Sequence, residues 1–74
     1  SVNIDSDESN RRKILDIIEK HTRITVSLSE VEIKNYILYI KKSPAVMNKI
    51  FIYKSKILEE INEVLPNLKI GGIK

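Results

Sequence analysis

The chain has 74 residues, of which 13 are Lys or Arg and 10 are Asp or Glu, with one histidine and no cysteine. A chain of this length forms one domain, because it buries only about 60% of its unfolded surface and cannot be divided further. The lack of cysteine excludes a disulfide framework and a cysteine-ligated zinc site, and it favours an intracellular location. No apolar run approaches the roughly 18 residues of a membrane span. We therefore predict a cytoplasmic protein with no membrane partner.

The charge is unevenly distributed along the chain. Asp5, Asp7 and Glu8 lie in the first eight residues, which leaves 13 basic and 7 acidic side chains, a net charge of +6, in the remainder. Such a balance suits an anionic partner, although a solvated lysine-rich surface is the commoner explanation. We predict that residues 1–8 form a disordered acidic leader and that residues 9–74 form a single domain.

The first predicted element is a short helix from about Asn10 to His21, where isoleucine and leucine recur at helical spacing. Its first turn carries Arg11, Arg12 and Lys13, which oppose the helix dipole unless an anion lies nearby. Residues 22–29 then alternate between polar and apolar. This alternation indicates an extended segment that is either an edge strand or a packed connector.

A β-hairpin is predicted between Glu30 and Lys42. A two-residue turn at Asn35-Tyr36 would pair Lys34 with Ile37, although Tyr36 stands where glycine is usual, so a slightly longer loop is the alternative. A slip of one residue would destroy the separation of the two faces. In this register the apolar face consists of Val31, Ile33, Leu38 and Ile40, and the other face of Glu30, Glu32, Lys34, Ile37, Tyr39 and Lys41.

One long amphipathic helix is predicted from about Pro44 to Leu65, with Ser43 as its cap and proline at its first position. Its apolar residues fall on one broad face, which makes the helix the main core element. Lys54 falls inside that face, and we expect its stem to pass the edge of the core. The predicted core residues of this helix are Val46, Met47, Ile50, Phe51, Ile57, Leu58, Ile61, Val64 and Leu65.

Pro66 ends the long helix, and Leu68 to Ile70 alternate into a final strand, with a bulge at Gly71-Gly72. A helix that connects the hairpin to this last strand would lie across the apolar face of the sheet. The predicted fold is therefore a two-layer α+β domain with a short helix, a β-hairpin, a long amphipathic helix and a final strand.

No catalytic, metal or cofactor site is predicted. His21 is the only histidine, and a role at the helix end, where a cation favours the dipole, is the simplest interpretation. Glu59, Glu60 and Glu63 are interpreted as a solvated helix face with Lys56 one turn away. The pair Gly71-Gly72 lacks the surrounding pattern of a nucleotide phosphate loop. We therefore expect binding and no enzymatic activity.

Basic and aromatic residues are the candidates for a binding surface. Aromatic rings among lysines can stack on bases, although scattered solubilising lysines and ordinary cross-strand packing are the alternatives. Ile52 and Tyr53, on the polar side of the long helix, predict a protein contact or a surface covered by the acidic leader. The candidate nucleic-acid-binding residues are Arg11, Arg12, Lys34, Tyr36, Tyr39, Lys41, Lys42, Lys49 and Lys56.

The sequence features from residue 31 onward occur in an order that is typical of a known domain family. Residues 31–45 read Val-Glu-Ile-Lys-Asn-Tyr-Ile-Leu-Tyr-Ile-Lys-Lys-Ser-Pro-Ala, a strand, turn, strand and small-residue helix start. Residues 57–62 read Ile-Leu-Glu-Glu-Ile-Asn, and a closing strand follows at 68–73. Together, over about 45 of the 74 residues, they resemble the DciA-type domain of bacterial replicative-helicase loaders.

The resemblance implies a fold like the type II KH domain, affinity for nucleic acid, and contact with the replicative helicase during loading onto single-stranded DNA. The chain departs from the family at Tyr36, where glycine is usual, and at Met47, where an aromatic residue is common. We therefore expect a nucleic-acid-binding module that acts in DNA replication, with single-stranded DNA or RNA as its partner. The alternative is a protein-interaction adaptor that uses Ile52 and Tyr53 and binds no nucleic acid.

Overall fold

The computed structural model describes the backbone of residues 2–74 and the side chains of residues 8–74. The fold is α+β, as predicted, with three helices and a three-stranded sheet in these residues. Short 3-10 turns precede the first and the last strand. In chain order the elements are α1 (Val2–Thr22), the turn Leu28–Glu30, β1 (Val31–Lys34), β2 (Ile37–Ile40), α2 (Pro44–Ile52), α3 (Lys54–Val64), the turn Pro66–Leu68 and β3 (Gly72–Ile73).

Helix α1 begins at Val2, well before the predicted start near Asn10. The prediction that Arg11, Arg12 and Lys13 oppose the helix dipole is therefore wrong. The dipole acts on charges in the first turn of a helix, and these residues lie further along α1. The acidic leader predicted over residues 1–8 falls largely outside the residues with described side chains, and it stays a prediction.

A buried threonine terminates α1. The Thr22 hydroxyl donates to the Ile18 carbonyl at 2.7 Å and accepts from the Ile24 N–H at 3.1 Å, so its buried oxygen is satisfied. Arg23 then adopts a left-handed conformation with φ 63°, and its N–H donates to the Glu19 carbonyl at 2.7 Å. Residues 23–27 form no strand. Of the two predicted alternatives, an edge strand and a packed connector, they are the connector.

The hairpin has the predicted register, with Val31 opposite Ile40 and Lys34 opposite Ile37. The turn contains two residues, Asn35 with φ 53° and Tyr36 with φ 64°. Positive φ at both positions is what a type I′ turn requires, and its twist matches that of the flanking strands. The longer loop is therefore not formed, and Tyr36 adopts a left-handed backbone conformation in which glycine is the favoured residue.

The predicted long helix is two helices, because the chain breaks helical geometry at Tyr53, with φ −101° and ψ 13°. The Tyr53 N–H donates to the Ile50 carbonyl, three residues back, at 3.0 Å. A continuous helix would place Lys54 on the core side, one turn after Ile50, and burying an ammonium group is costly. The break turns Lys54 out to solvent and Tyr53 in against the core.

The structure also corrects the predicted positions of four side chains in this region. Phe51 and Val64, predicted as core, are 42% and 47% exposed. Tyr53, predicted as part of an outward contact surface, is half-buried and packs against the core. Lys54, expected inside the apolar face, is exposed. The start of α2 is as predicted, since the Val46 N–H donates to the Ser43 hydroxyl at 3.4 Å.

The last strand is shorter and later than predicted. Residues Pro66–Leu68 form a 3-10 turn, and β3 comprises only Gly72–Ile73, parallel to β2. The Asn62 side-chain amide donates to the Ile70 carbonyl at 3.0 Å and holds the chain before the strand. A Cβ at Gly72 would lie 3.2 Å from the Ile37 side chain, so glycine lets Ile37 lie over β3.

The helices cover one face of the sheet and enclose the core against it. The strand order is β1-β2-β3, so the hairpin lies beside the final strand. Helices α2 and α3 connect β2 to the parallel strand β3 across the face of the sheet. This arrangement leaves the other face of the sheet outside the core. The buried core consists of Ile14, Ile17, Ile18, Val26, Val31, Leu38, Ile40, Met47, Ile50, Ile57, Ile61, Leu65, Ile70 and Ile73.

We expect Tyr36→Gly to raise the free energy of unfolding by about 0.5–1 kcal/mol. Relief of a left-handed tyrosine gains roughly 1–2 kcal/mol, and the added freedom of glycine in the unfolded chain removes about half of it. Asn35→Gly is the matched control, because asparagine already tolerates this conformation, and it should give no gain. Urea unfolding of the three proteins measures the difference. Equal stabilisation by both variants would contradict strain at Tyr36.

Candidate nucleic-acid interface

The outer face of the sheet is built by strand alternation. Since successive side chains point to opposite sides, the inward direction of Val31 and Leu38 turns Glu32 and Tyr39 outward, opposite each other across the β1–β2 pair. Lys41 continues this side, because its N–H still donates to the Glu30 carbonyl at 2.7 Å. We define the outer sheet face as Glu32, Lys34, Ile37, Tyr39, Lys41, Gly72 and Lys74.

Lys74 joins this face through the ladder of β3. Its N–H donates to the Leu38 carbonyl at 2.8 Å, and its carbonyl accepts from the Ile40 N–H at 2.9 Å. Ile73 points into the core, so Lys74 points outward beside Tyr39. Tyr39 thus lies at the centre of the face, with Glu32 on one neighbouring strand and Lys74 on the other.

A shallow groove of about 340 Å³ runs over β1 and the turn, lined by Glu32, Lys34, Asn35 and Tyr39. It combines one half-buried aromatic ring with a carboxylate, an ammonium group and an amide. Tyr36 lies at the turn end of the hairpin and is 65% exposed. Its carbonyl accepts from the Gly71 N–H at 2.8 Å, which fixes the turn against the start of β3. The structure therefore brings together Lys34, Tyr36, Tyr39 and Lys41.

Lys42 has a structural partner. Its ammonium group lies 2.9 Å from the Glu30 carboxylate, which also accepts from the Ser27 N–H at 3.0 Å. These hydrogen bonds, that from Ser27 first, hold the pKa of the Glu30 carboxyl below its ordinary value. Lys42 thus helps to fix the connector before β1 and is half-buried.

The two arginines of α1 have different surroundings. Arg12 forms an exposed pair with Glu8 at 2.9 Å, one helical turn away. Arg11 is half-buried and lines a second cleft, of about 260 Å³, with Glu32 and other residues at the edge of β1. The lining of this cleft is Asn10, Arg11, Glu32, Ile33 and Leu68. Only Arg11 is thus near the outer sheet face.

Lys49 and Lys56 lie on the helical layer, on the other side of the sheet from Tyr39. Both are exposed, on α2 and α3 respectively. Beside them, at the α2–α3 junction, Ile52 is 76% exposed and Phe51 is 42% exposed. The nine candidate residues therefore do not form one surface, and the helical lysines adjoin an apolar patch instead of the aromatic residues of the hairpin.

The prediction that Glu60 is merely solvated is wrong. The Glu60 carboxylate lies 2.9 Å from the Lys20 ammonium group and 2.8 Å from His21 Nε2. It ties the end of α1 to α3 and is half-buried. The hydrogen bond from Lys20, followed by that from His21, lowers the pKa of the Glu60 carboxyl from its ordinary value of 4.5.

Three polar residues of the outer sheet face and its groove were not predicted as site residues from the sequence. Glu32 was assigned to the correct face, but a carboxylate is not expected on a surface for an anion. Asn35 was interpreted only as a turn residue. Lys74 was missed because the final strand was placed too early, and extension of the alternation through Gly72 and Ile73 would have found it.

Comparisons with protein-family models, with curated proteins and with solved structures give no match to this chain. Among residues 2–74, no helix combines the length and the apolar character that crossing a membrane requires. The side chains of residues 8–74 contain no group of three or more His, Cys, Asp or Glu that could hold a metal ion.

The Glu60 contacts predict a loss of stability in acid. A carboxyl whose pKa is lowered in the folded state contributes stability that is present above pH 4.5 and is lost as the pH falls through the folded-state pKa. We expect the free energy of unfolding of Glu60→Gln to fall less steeply below about pH 5 than that of the original protein. Glu59→Gln, which removes the same charge from an exposed position on α3, is the control. Parallel pH profiles for the original protein and Glu60→Gln would contradict the proposed tie.

Proposed function

We propose that this protein binds single-stranded nucleic acid on the outer sheet face. The observation that carries the proposal is the central position of Tyr39, between Lys41, which directly follows β2, and Lys74, which directly follows β3, on a face outside the core. Aromatic rings on an exposed sheet stack on bases, and neighbouring lysines contact the phosphates. Duplexes hide their base faces, so this arrangement favours single strands.

The charge of the chain supports the same partner. Residues 33–58 contain six lysines and no acidic residue, and this stretch supplies β2 and the turn of the hairpin. Two of its lysines, Lys34 and Lys41, lie on the outer sheet face. Tyr36, highly exposed at the turn, is a second aromatic residue at this end of the hairpin. A strand of a few nucleotides could therefore follow β2 from Lys41 towards the turn.

The resemblance of residues 31–73 to DciA-type domains supports a place in DNA replication. Under this proposal the protein acts with the replicative helicase on single-stranded DNA, without enzymatic activity of its own. The order of a hairpin, a helical segment and a final strand supports this proposal. The helicase contact rests on the resemblance alone.

We expect Lys41→Gln to lower the salt dependence of binding to single-stranded DNA. Each phosphate contact contributes about 0.7 to the slope of log K against log salt concentration on single strands. Lys56→Gln, which removes the same charge from the helical layer, should leave the slope unchanged. Fluorescence anisotropy with labelled dT15 and U15 at several salt concentrations measures both variants. Absence of binding even at low salt would refute the proposed function, and equal effects of the two variants would move the site away from the sheet.

A second candidate function is a protein-interaction adaptor, favoured by the apolar patch at the α2–α3 junction. Ile52 and Phe51 are exposed there among Lys49, Lys54 and Lys56. An apolar patch surrounded by charge of one sign is typical of a protein contact. The complementary partner is a segment with apolar side chains flanked by Asp or Glu. Tyr53, at the same junction, is half-buried and packs against the core.

We expect Ile52→Glu to weaken binding of an acidic amphipathic peptide roughly tenfold, because it removes an exposed apolar contact and repels the carboxylates. The probe is a labelled helical peptide with leucine on one face and glutamate beside it. Val64→Glu is the matched control, since Val64 is also exposed on the helical layer but follows Glu63. Equal affinity of the original protein and Ile52→Glu would exclude this surface.

A further inference from the structure

We infer that the groove over β1 recognises guanine, with Glu32 as the residue that reads the base. This inference rests on the proposed function and names the base that the same site prefers. The four lining residues of the groove are Glu32, Lys34, Asn35 and Tyr39. They provide a ring for stacking, an acceptor and two kinds of donor within one depression of the surface.

The position of Glu32 requires an explanation in a nucleic-acid interface. It lies directly opposite Tyr39 across the strand pair, and side chains in such a pair are about 5 Å apart at Cβ. A carboxylate at that place repels any phosphate that approaches Tyr39. It does not repel a base, provided that the base presents N–H donors. A base stacked on Tyr39 would therefore turn its hydrogen-bonding edge, and not the backbone, towards Glu32.

Guanine is the base whose edge suits this arrangement. Its Watson–Crick edge presents N1–H and N2–H side by side, which match the two oxygens of a carboxylate, followed by the acceptor O6. Lys34 is two residues along the same strand face, about 6.8 Å from Glu32 at Cα, and its ammonium group is a donor for O6. Along β1 the acceptor Glu32 is thus followed by the donor Lys34, and along guanine the donors N2–H and N1–H are followed by the acceptor O6, so the two orders match.

The other bases place an acceptor against the carboxylate. Cytosine presents N3 beside its amino group, adenine presents N1 beside its amino group, and thymine or uracil places its single N–H between two carbonyls. Each would leave an oxygen of Glu32 facing a lone pair. Because unstacked single-stranded bases are read on their Watson–Crick edges, this difference is available to a surface groove.

The test uses labelled nine-nucleotide dT strands that carry one central dG, hypoxanthine nucleotide (dI), dA or dC. We expect the original protein to bind the dG strand about fivefold more tightly than the all-dT strand, the lower end of the effect of a bidentate pair. Loss of the N2 amino group in dI should remove most of that preference. Glu32→Gln should bring all five strands within about twofold of one another while binding to all-dT is kept or strengthened, since a repelling charge is removed.

Glu59→Gln is the matched control, because it removes the same charge from α3 and should keep the dG preference. Binding of all strands with equal affinity by the original protein would overturn the guanine inference and leave the proposed function standing. An unchanged dG preference in Glu32→Gln would also overturn it. Failure of every strand to bind at low salt would overturn both.

Discussion

The two-residue turn of the hairpin is the constraint on which the rest of the structure depends. Strand side chains alternate with a period of two, so a turn of two residues fixes which side chains of β1 and β2 enter the core. With Lys34 opposite Ile37, Leu38 is buried and Tyr39 faces outward. A turn one residue longer would reverse one strand relative to the other. The two-residue turn thus determines both the core and the candidate interface. The left-handed backbone that it requires at Tyr36 lowers the free energy of unfolding.

The break at Tyr53 has a similar dual effect on the helical layer. It avoids burial of Lys54 and at the same time packs the half-buried Tyr53 against the core. Phe51 and Ile52 are exposed at the junction. Ile52 would face outward on a continuous helix as well, so the break changes the surroundings of the apolar patch, with Lys54 exposed beside it.

Much of this fold could be predicted from the sequence because its determinants are local. The hairpin register follows from alternation over ten residues, and the start of α2 follows from Ser43-Pro44. The start of α1 could not be predicted, because residues before Asn10 carry few apolar side chains to mark a helix. The break at Tyr53 lacks proline or glycine, and its only sign was Lys54 within the apolar face. The late start of β3 depends on Asn62, a tertiary contact without a local pattern.

The candidate site was predictable to the extent that it lies on the hairpin. Lys34, Tyr39 and Lys41 follow from the register alone. Lys42 is paired with Glu30 at the other end of the hairpin, and the register, which sets Glu30 opposite Lys41, does not show that the Glu30 carboxylate turns to Lys42. Lys74 reaches the face through parallel pairing with β2, which only the tertiary fold reveals.

The pairing of charges explains how one lysine-rich stretch serves two surfaces. Within the stretch of residues 33–58, Lys42 is neutralised by Glu30, an acidic residue outside it. The sheet then divides the remaining lysines, with Lys41 on the outer face and Lys49 on the helical layer. Because the two surfaces lie on opposite layers, a ligand on one leaves the other accessible.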